Sequence, residues 1–425
     1  MSIEPDVVVI GAGAAGVGAG LALARLGIPC LIIEAKDRMG GRAYTDTTSL
    51  GVPWDHGCHW FHSADRNPLR ALADRLGHAY VHEPRGATAP IYMNGSWDTS
   101  GQARLHVWDE LDRVTASRAD VPAEAIIDSG HPQADLVRHW ISLMTSGEAR
   151  DISASDYGRY DDSHVNLPVR DGYGALVARI ARGLPIRLAC PARRIARTKH
   201  GFEVETPEGT LKPRAAIVTA SVNVLLSGEI KFSPALPADL LSALENVPCG
   251  SYEKVVIRFE GDPFGGFSSE FCDIFDPPGS HPINVEVGHH GRPLAIAHFA
   301  GDMARDLAAA GQPAMIDFLK QKLVSAFGGA IAKAMNGGTT TAWGADPFIR
   351  GGYAYARAGH AASRDVMIAA DLAPLYLAGE AFHSSLSATA HGAYLSGIDA
   401  AHRAARAMGR ETVAPDPLWL PQSDR

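Results

Sequence analysis

The chain is poor in cysteine. Its 425 residues include five, at Cys30, Cys58, Cys190, Cys249 and Cys272, scattered and without a C-x-x-C pair. This excludes a disulfide framework or a cysteine zinc site and suits a reducing, cytoplasmic setting. Long apolar runs are also missing. The N-terminal run is broken by glycines and by Arg25, and no other stretch could cross a bilayer. Glu4 and Asp6 precede that run with no basic segment, so it reads as a first strand and helix and not as a signal peptide. Positive charge is not in excess: 39 basic residues face 47 acidic ones, for a net charge of −8. With no basic run, a nucleic-acid footprint is excluded. None of the 18 histidines has metal-ligand spacing; His289-His290 and the pair His78 and His82 lack cysteine or carboxylate companions, so no metal is expected. No carboxylate pair or nucleophile stands in a spacing that would carry catalysis unaided. Repeats and low-complexity segments are absent. The remaining composition, 46% hydrophobic and 20% charged, is that of a globular protein of two or three domains.

The stretch from Asp6 to Arg42 organises the rest. Val7-Val8-Val9-Ile10 reads as a strand buried on both faces. Gly11, Gly13 and Gly16 follow in G-x-G-x-x-G spacing and open a helix of small residues. The first glycine permits a tight turn, the second lets the backbone approach a pyrophosphate, and the third lets helix and strand pack closely. Gly27 and Pro29 stop the helix. A second buried strand, Cys30-Leu31-Ile32-Ile33, ends on Glu34, where a carboxylate should accept hydrogen bonds from an adenosine ribose. Gly40 and Gly41 then allow a close backbone approach, and Arg42 is placed to meet phosphate or ribityl oxygens.

Further along, Trp54-Asp55-His56-Gly57-Cys58-His59-Trp60-Phe61-His62 packs aromatics and histidines into one loop, either a site wall or local packing. Asn67 to Gly77 reads as an amphipathic helix starting at Pro68. Near Thr88 the chain turns polar, with a hairpin-like Ile91 to Trp97, and Gln102 to Tyr157 is helical in period, broken near Pro122 and Pro132. Strands at Ile186-Arg187-Leu188, Gly201 to Thr206 and Ala215 to Thr219 return to the nucleotide-binding layer. A new block starts near Ser251 with a strand over Lys254 to Phe259. The chain closes with Trp343 to Gly359, Leu375-Tyr376-Leu377, Gly379-Glu380, a small-residue helix from His391 to Met408 and a loose tail. The plan is a discontinuous two-domain protein: residues 1–87, 165–250 and 340–425 in one domain, 88–164 and 251–339 in the other, with a ligand cleft between them.

Seven segments in order, IGAGAAG, EAKDRMGGR, DHGCHWFH, DGYGAL, the lysine heading the strand KVVIRF, WGADPFIRGGYAY and LAGEAFHSSLSATAHGAYLSG, resemble the FAD-dependent amine oxidases, the family of monoamine and polyamine oxidases. The resemblance covers nearly the whole chain. It implies an α/β fold, α+β overall: a discontinuous Rossmann-like FAD-binding domain of GR2 type with an inserted substrate domain of mixed sheet and helices. It selects FAD over NAD through the GGR run and Gly379-Glu380. By resemblance Gly11, Gly13, Ala15 and Gly16 cradle the pyrophosphate, with Ala35, Gly40 and Gly41 beside them. Glu34 holds the ribose, Arg42 the phosphate side, Ala192 the adenine through its backbone, and Glu380 the linker. Thr389 and Ala390 present the last helix to the flavin, and Gly57, Trp60 and Trp343 pack near it. Lys254 matches the family lysine that holds a water near the flavin.

The sequence also departs from the family. Tyr353 stands where monoamine oxidases carry the cysteine that bonds to flavin, so FAD is expected without a covalent bond. Their paired cage tyrosines align with Ala354 and Thr389, leaving Trp60, Phe61, Tyr355 or Phe382 to line the substrate. His62 aligns with a histidine of polyamine-oxidising members, although Ser63 replaces the glycine after it; His59 is the rival. The implied activity is oxidation of an amine to an imine with reduction of O2 to hydrogen peroxide. The alternative is a flavin-dependent desaturase or dehydrogenase acting on a C–C bond with another acceptor. The expected partners are a small amine and O2, with no nucleic acid, no membrane, and room for a homodimer.

Overall fold

Short apolar strands too brief to stand alone are collected into a five-stranded parallel sheet, in the order Leu375–Leu377, Ala215–Val218, Val7–Ile10, Cys30–Ile33, Ile186–Arg187. The computed structural model describes residues 4–82, 89–98, 100–265, 267, 271–276, 280–410 and 412–421; the boundary expected at 87/88 lies outside them. Period-2 alternation sends successive side chains of the central strands into two different cores. Val7, Val9, Ala215 and Ile217 enter one, under the helices Ala14–Arg25 and Ala390–Ala407. Val8, Ile10, Ala216 and Val218 enter the other, over Ala238–Glu245. The two helices of the first core lie against each other with almost no side chain between them. A methyl on Gly18 would fall on the backbone of Tyr394, and one on Gly397 on the backbone of Ala15.

Gly201–Thr206, expected in the parallel layer, belongs instead to a separate sheet ordered Gly209–Leu211, Gly201–Thr206, Arg194–Thr198, Lys231–Ser233. Thr198 and Gly201 pair across a tight reversal, so Gly201–Thr206 runs antiparallel to Arg194–Thr198 and cannot join the parallel ladder. The tail is also better anchored than expected. Leu420 is buried, and the carbonyl of Pro417 accepts the Tyr394 hydroxyl.

A seven-stranded sheet runs Met335–Thr340, Tyr252–Phe259, Leu294–Ala300, Ile283–Val287, Phe271–Phe275, Ile91–Met93, Ser96–Asp98. Its back face carries Val255, Ile257, Val285, Ala297 and Phe299 against the helices Gly301–Ala310 and Gln312–Phe327. Register fixes what the front face carries. Lys254 pairs with His298, and His298 with Asn284; Val256 pairs with Ile296, and Ile296 with Glu286. Tyr252, Lys254, His298 and Glu286 therefore project from one face. Leu50 and Trp54 cover Val256, Leu294 and Ile296 on this face, and the helices Gln102–Ala116 and Ala134–Thr145 cover its other end, tied down where Trp140 Nε1 donates to Asp273 at 2.8 Å beside the buried Arg104–Asp273 pair.

Candidate active site

A cavity of about 810 Å³ runs along the carboxyl ends of the parallel strands, within the size range of cofactor sites and at the position where open parallel sheets bind ligands. Its walls come from three stretches: Ile10 to Cys58, Pro191 to Lys231, and Phe348 to Ala393. Of the residues expected to hold a cofactor, it brings together Gly11, Gly13, Ala15, Glu34, Ala35, Gly40, Gly41, Arg42, Ala192, Gly379, Glu380, Thr389 and Ala390.

The three glycines of the first turn have different causes. Gly11 has φ +107°, and a methyl there would meet Thr219 Oγ1; a methyl on Gly16 would land on the carbonyl of Gly11. Gly13 has an ordinary φ of −76°, and nothing of the protein lies nearer than 3.8 Å to a methyl placed on it. Neither strain nor packing demands glycine at 13, and the space a methyl would take there belongs to the cavity. The helix Ala14–Arg25 that starts here has no side-chain cap, which leaves its first N–H groups and positive dipole end to an anion. Glu34, buried beside it, accepts Ala12 N at 2.7 Å and Lys36 N at 2.9 Å. Burial raises its pKa, and each oxygen keeps a second lone pair for a hydroxyl. At the far end Glu380 accepts Arg42 Nη1 at 2.9 Å and the backbone of Ala354 and Ala388 at 3.2 and 3.0 Å, while Arg42 also bonds the carbonyl of Gly352. The donor set and the glycine cradle fit an extended dinucleotide.

Beyond Cys58 the chemistry changes from backbone to side chains. Lys254 is buried, and its Nζ reaches Asp55 O at 2.9 Å, Gly57 O at 2.8 Å and His59 Nδ1 at 3.1 Å. Burial lowers its pKa to about 8. His59 Nε2 meets Glu286 Oε1 at 2.8 Å, and burial holds the imidazole neutral. Glu286 Oε2 takes His289 Nδ1 at 2.6 Å, and Oε1 lies 3.3 Å from His298 Nε2. Tyr252 Oη meets His298 Nδ1 at 2.8 Å. Burial alone would raise the Glu286 pKa, but the histidines around it win and keep it a carboxylate. On the other face of the strand, Glu253 accepts Trp343 N at 3.0 Å, Gly344 N at 2.9 Å and the Thr341 hydroxyl, fixing the Trp343 loop.

Other expected residues lie off the cavity wall. Gly57 is tight against the carbonyl of Arg42 and lends its own carbonyl to Lys254. Trp343 is buried with Nε1 on the carbonyl of His56 at 3.2 Å. Trp60 faces His59 and Phe271, and His62 Nδ1 pairs with Asn166 at 2.8 Å. Three expected substrate-lining residues lie off the wall of this cavity. Phe61 is in the core against Tyr80 and Tyr173, because successive strand residues point opposite ways and Trp60 takes the site side. Phe382 lines a separate cavity of about 200 Å³ with Leu395 and Asp399. Tyr355 packs on Gly147 and Ile152 of the helical insertion. Sequence reasoning passed over Glu286, His298 and Tyr252. Glu286 sits inside Ile283–Val287, where Asn284 and Glu286 alternate with three apolar residues as in an ordinary half-exposed strand, yet the strand is buried along its whole length.

Residues 98–405 match the family described as flavin containing amine oxidoreductase, and residues 9–76 an NAD(P)-binding Rossmann-like domain. Polyamine oxidase 4 of Oryza sativa subsp. japonica is 28% identical over 455 residues, covering 97% of this chain and 91% of that protein. Lysine-specific histone demethylase 2 of Homo sapiens is 24% identical; the match covers 94% of this chain and 53% of that protein. The structure of cyclohexylamine oxidase from Brevibacterium oxydans IH-35A superposes with a TM-score of 0.79 at 21% identity, over 96% of this chain and 100% of that one, which shows a shared fold. The family match spans well over half of the chain and sets aside the C–C desaturase alternative. With a cavity whose glycine cradle, unpaired helix N-terminus and paired Arg42–Glu380 suit FAD, the chain belongs to the flavin containing amine oxidoreductases, enzymes that act on C–N bonds.

Proposed function

We propose that this enzyme oxidises an amine carried on an apolar body to the imine, which hydrolyses to a carbonyl compound, and that O2 is the acceptor and becomes hydrogen peroxide. Bound FAD supplies the two-electron chemistry; the chain supplies binding, orientation and proton control. Residues 1–87, 165–250 and 340–425 act as the cofactor-binding part and 88–164 with 251–339 as the substrate part. The division is supported by the three cavity-lining stretches, all in the first part, and by Lys254, which comes from the second.

The observation that carries the reading is Lys254. A lysine held by two carbonyls and an imidazole, with its pKa brought to about 8, can stand as ammonium or amine near neutral pH. It can therefore order water or take a proton beside the reacting amine. Tyr353 lines the cavity at the end next to Cys58, with Tyr252 ring to ring at 5.3 Å and Trp60 against Phe271 at 5.1 Å. These rings support an apolar amine pocket. A polyamine would need carboxylates for its further ammonium groups, and Glu34, Glu380 and Glu286 are already committed to other partners.

The test is peroxide release from purified holoenzyme over a panel of cyclic, arylalkyl and polyamine substrates. Release with monoamines and little with spermine or spermidine is expected. Flavin that stays oxidised with every amine under anaerobic conditions would defeat the proposal, and bleaching without peroxide in air would defeat the assignment of O2.

A further inference from the structure

The last helix, Ala390–Ala407, serves two cavities from different faces. Ala390 and Ala393 line the cofactor cavity. Ser396, Asp399 and Arg403, at i, i+3 and i+7, share another face and line the smaller cavity of about 200 Å³. The turn Glu380–Phe382 divides its side chains in the same way: Glu380 goes to the cofactor side, while Phe382 and the following His383 go to the smaller cavity. The two linings have no residue in common, so the smaller cavity is a separate site. Its volume lies below the usual range of ligand pockets, which limits an occupant to few atoms.

The floor is apolar and the rim is ionic. Met367, from the helix Ala362–Ala369, joins Leu377 and Phe382 as buried floor residues, with Leu395 beside them. At the rim Asp399 and Arg403 stand four residues apart on one helix, the spacing at which an acid and a base commonly pair. Among the described residues neither makes an ion pair, with the other or with a third group. The Arg403 guanidinium lies over the Tyr376 ring at 5.3 Å, which engages its face and leaves its in-plane N–H groups unspent. His383 adds a donor. Its Nδ1 accepts Ser385 N at 3.3 Å and Leu386 N at 3.1 Å. Burial lowers its pKa, and the neutral ring then carries its proton on Nε2.

We propose that this cavity is a second ligand site, built for a small apolar amino acid in its zwitterionic form. The ammonium goes to Asp399, the carboxylate to Arg403 and the Nε2–H of His383, and the side chain to the floor of Met367, Leu377, Phe382 and Leu395. A plain amine would leave Arg403 and His383 unmatched. A plain carboxylate would leave Asp399 unmatched and would be repelled by it. The apolar floor excludes glycine as the preferred ligand, since its burial supplies much of the affinity where half-exposed ion pairs supply little. Binding is non-covalent, and the inference stands apart from the amine assigned above.

The deciding experiment is equilibrium dialysis of radiolabelled L-leucine against holoenzyme. The amine site is blocked with cyclohexylamine methylated at its α carbon, which has no α hydrogen and cannot be oxidised. We expect one leucine per flavin with a Kd on the order of 0.1–1 mM, the same with and without the blocking amine. Leucinamide, isocaproate and glycine lack the carboxylate, the ammonium and the apolar body in turn, and each should compete about tenfold less well. Asp399→Asn and Arg403→Gln, both at the rim, should each weaken leucine about fivefold and together about tenfold or more, with flavin content and amine-dependent bleaching unchanged. No leucine retained by wild type, leucinamide competing as well as leucine, or equal affinity in both variants would each overturn the site. Leucine that bleaches the flavin, or that the blocking amine displaces, with its affinity unchanged in the variants would belong to the cofactor cavity and would overturn it as well. None of these outcomes depends on peroxide release from the amine panel, so the two proposals fail separately.

Discussion

The cofactor cavity and the front face of the seven-stranded sheet are built from different materials. The cavity is a backbone construction: a glycine turn, free helix N–H groups and two carboxylates pinned by peptide N–H donors. The sheet face is a side-chain construction, with a lysine, three histidines, a glutamate and a tyrosine in contact across strands far apart in sequence. A backbone site fails when room is taken away. A side-chain site fails when charge or a proton position is changed while the space is left alone.

The sharpest way to break this comparison is Gly16→Ala. Its methyl would occupy the position of the Gly11 carbonyl oxygen, with no flexible side chain to yield. We expect no recoverable folded holoprotein, judged by soluble yield and the flavin-to-protein absorbance ratio. Lys254→Met comes next. Flavin should stay bound while amine-dependent reduction, followed by stopped-flow at pH 8, falls by a factor on the order of 10²–10⁴. The pH dependence has a definite sign. The folded Lys254 gives up its proton near 8, so if the amine form is the working one, reduction rises through pH 8 and levels off above it; the variant should lack this limb.

Gly13→Ala separates ligand from protein. Neither the backbone angle nor any neighbour opposes the methyl. The melting temperature of apoprotein should hardly change while the Kd for FAD rises tenfold or more, measured by flavin fluorescence quenching. Equal losses of both would mean that this glycine serves the fold. Glu34→Ala strips the acceptor from Ala12 N and Lys36 N, which should cost about 1–3 kcal/mol in denaturant unfolding of apoprotein, besides weakening FAD. The smallest effect belongs to Phe382→Leu. It lines the smaller cavity, so KM should be unchanged and stability lower by only about 1 kcal/mol; a shifted KM would return this residue to the substrate wall.

What could be read in advance follows the same division. The parallel sheet, the glycine turn and Glu34 were legible because each depends on residues a few positions apart and on backbone geometry. Glu286 on the sheet face was not. It sits with Asn284 on the polar side of Ile283–Val287, an alternation that reads as a strand with one face in water, whereas both faces are buried. Only the register to Ile296 and His298 brings it toward His59. Lys254 itself was visible through family resemblance, since position alone would leave it a strand-end lysine. Trp60 and Phe61 show a finer limit. Alternation says that one of the two faces the site, but which one depends on the pairing of this strand with Leu167–Pro168.

The close fit of the helix Ala390–Ala407 on Ala14–Arg25, glycine to backbone, has a temporal consequence. The phosphate-binding turn leaves the ribosome before the surface that completes its cavity, from Gly379 to Ala393, which is translated more than 350 residues later. A nascent chain halted anywhere before that point has no finished pocket to offer, so flavin capture must await the synthesis of this late segment.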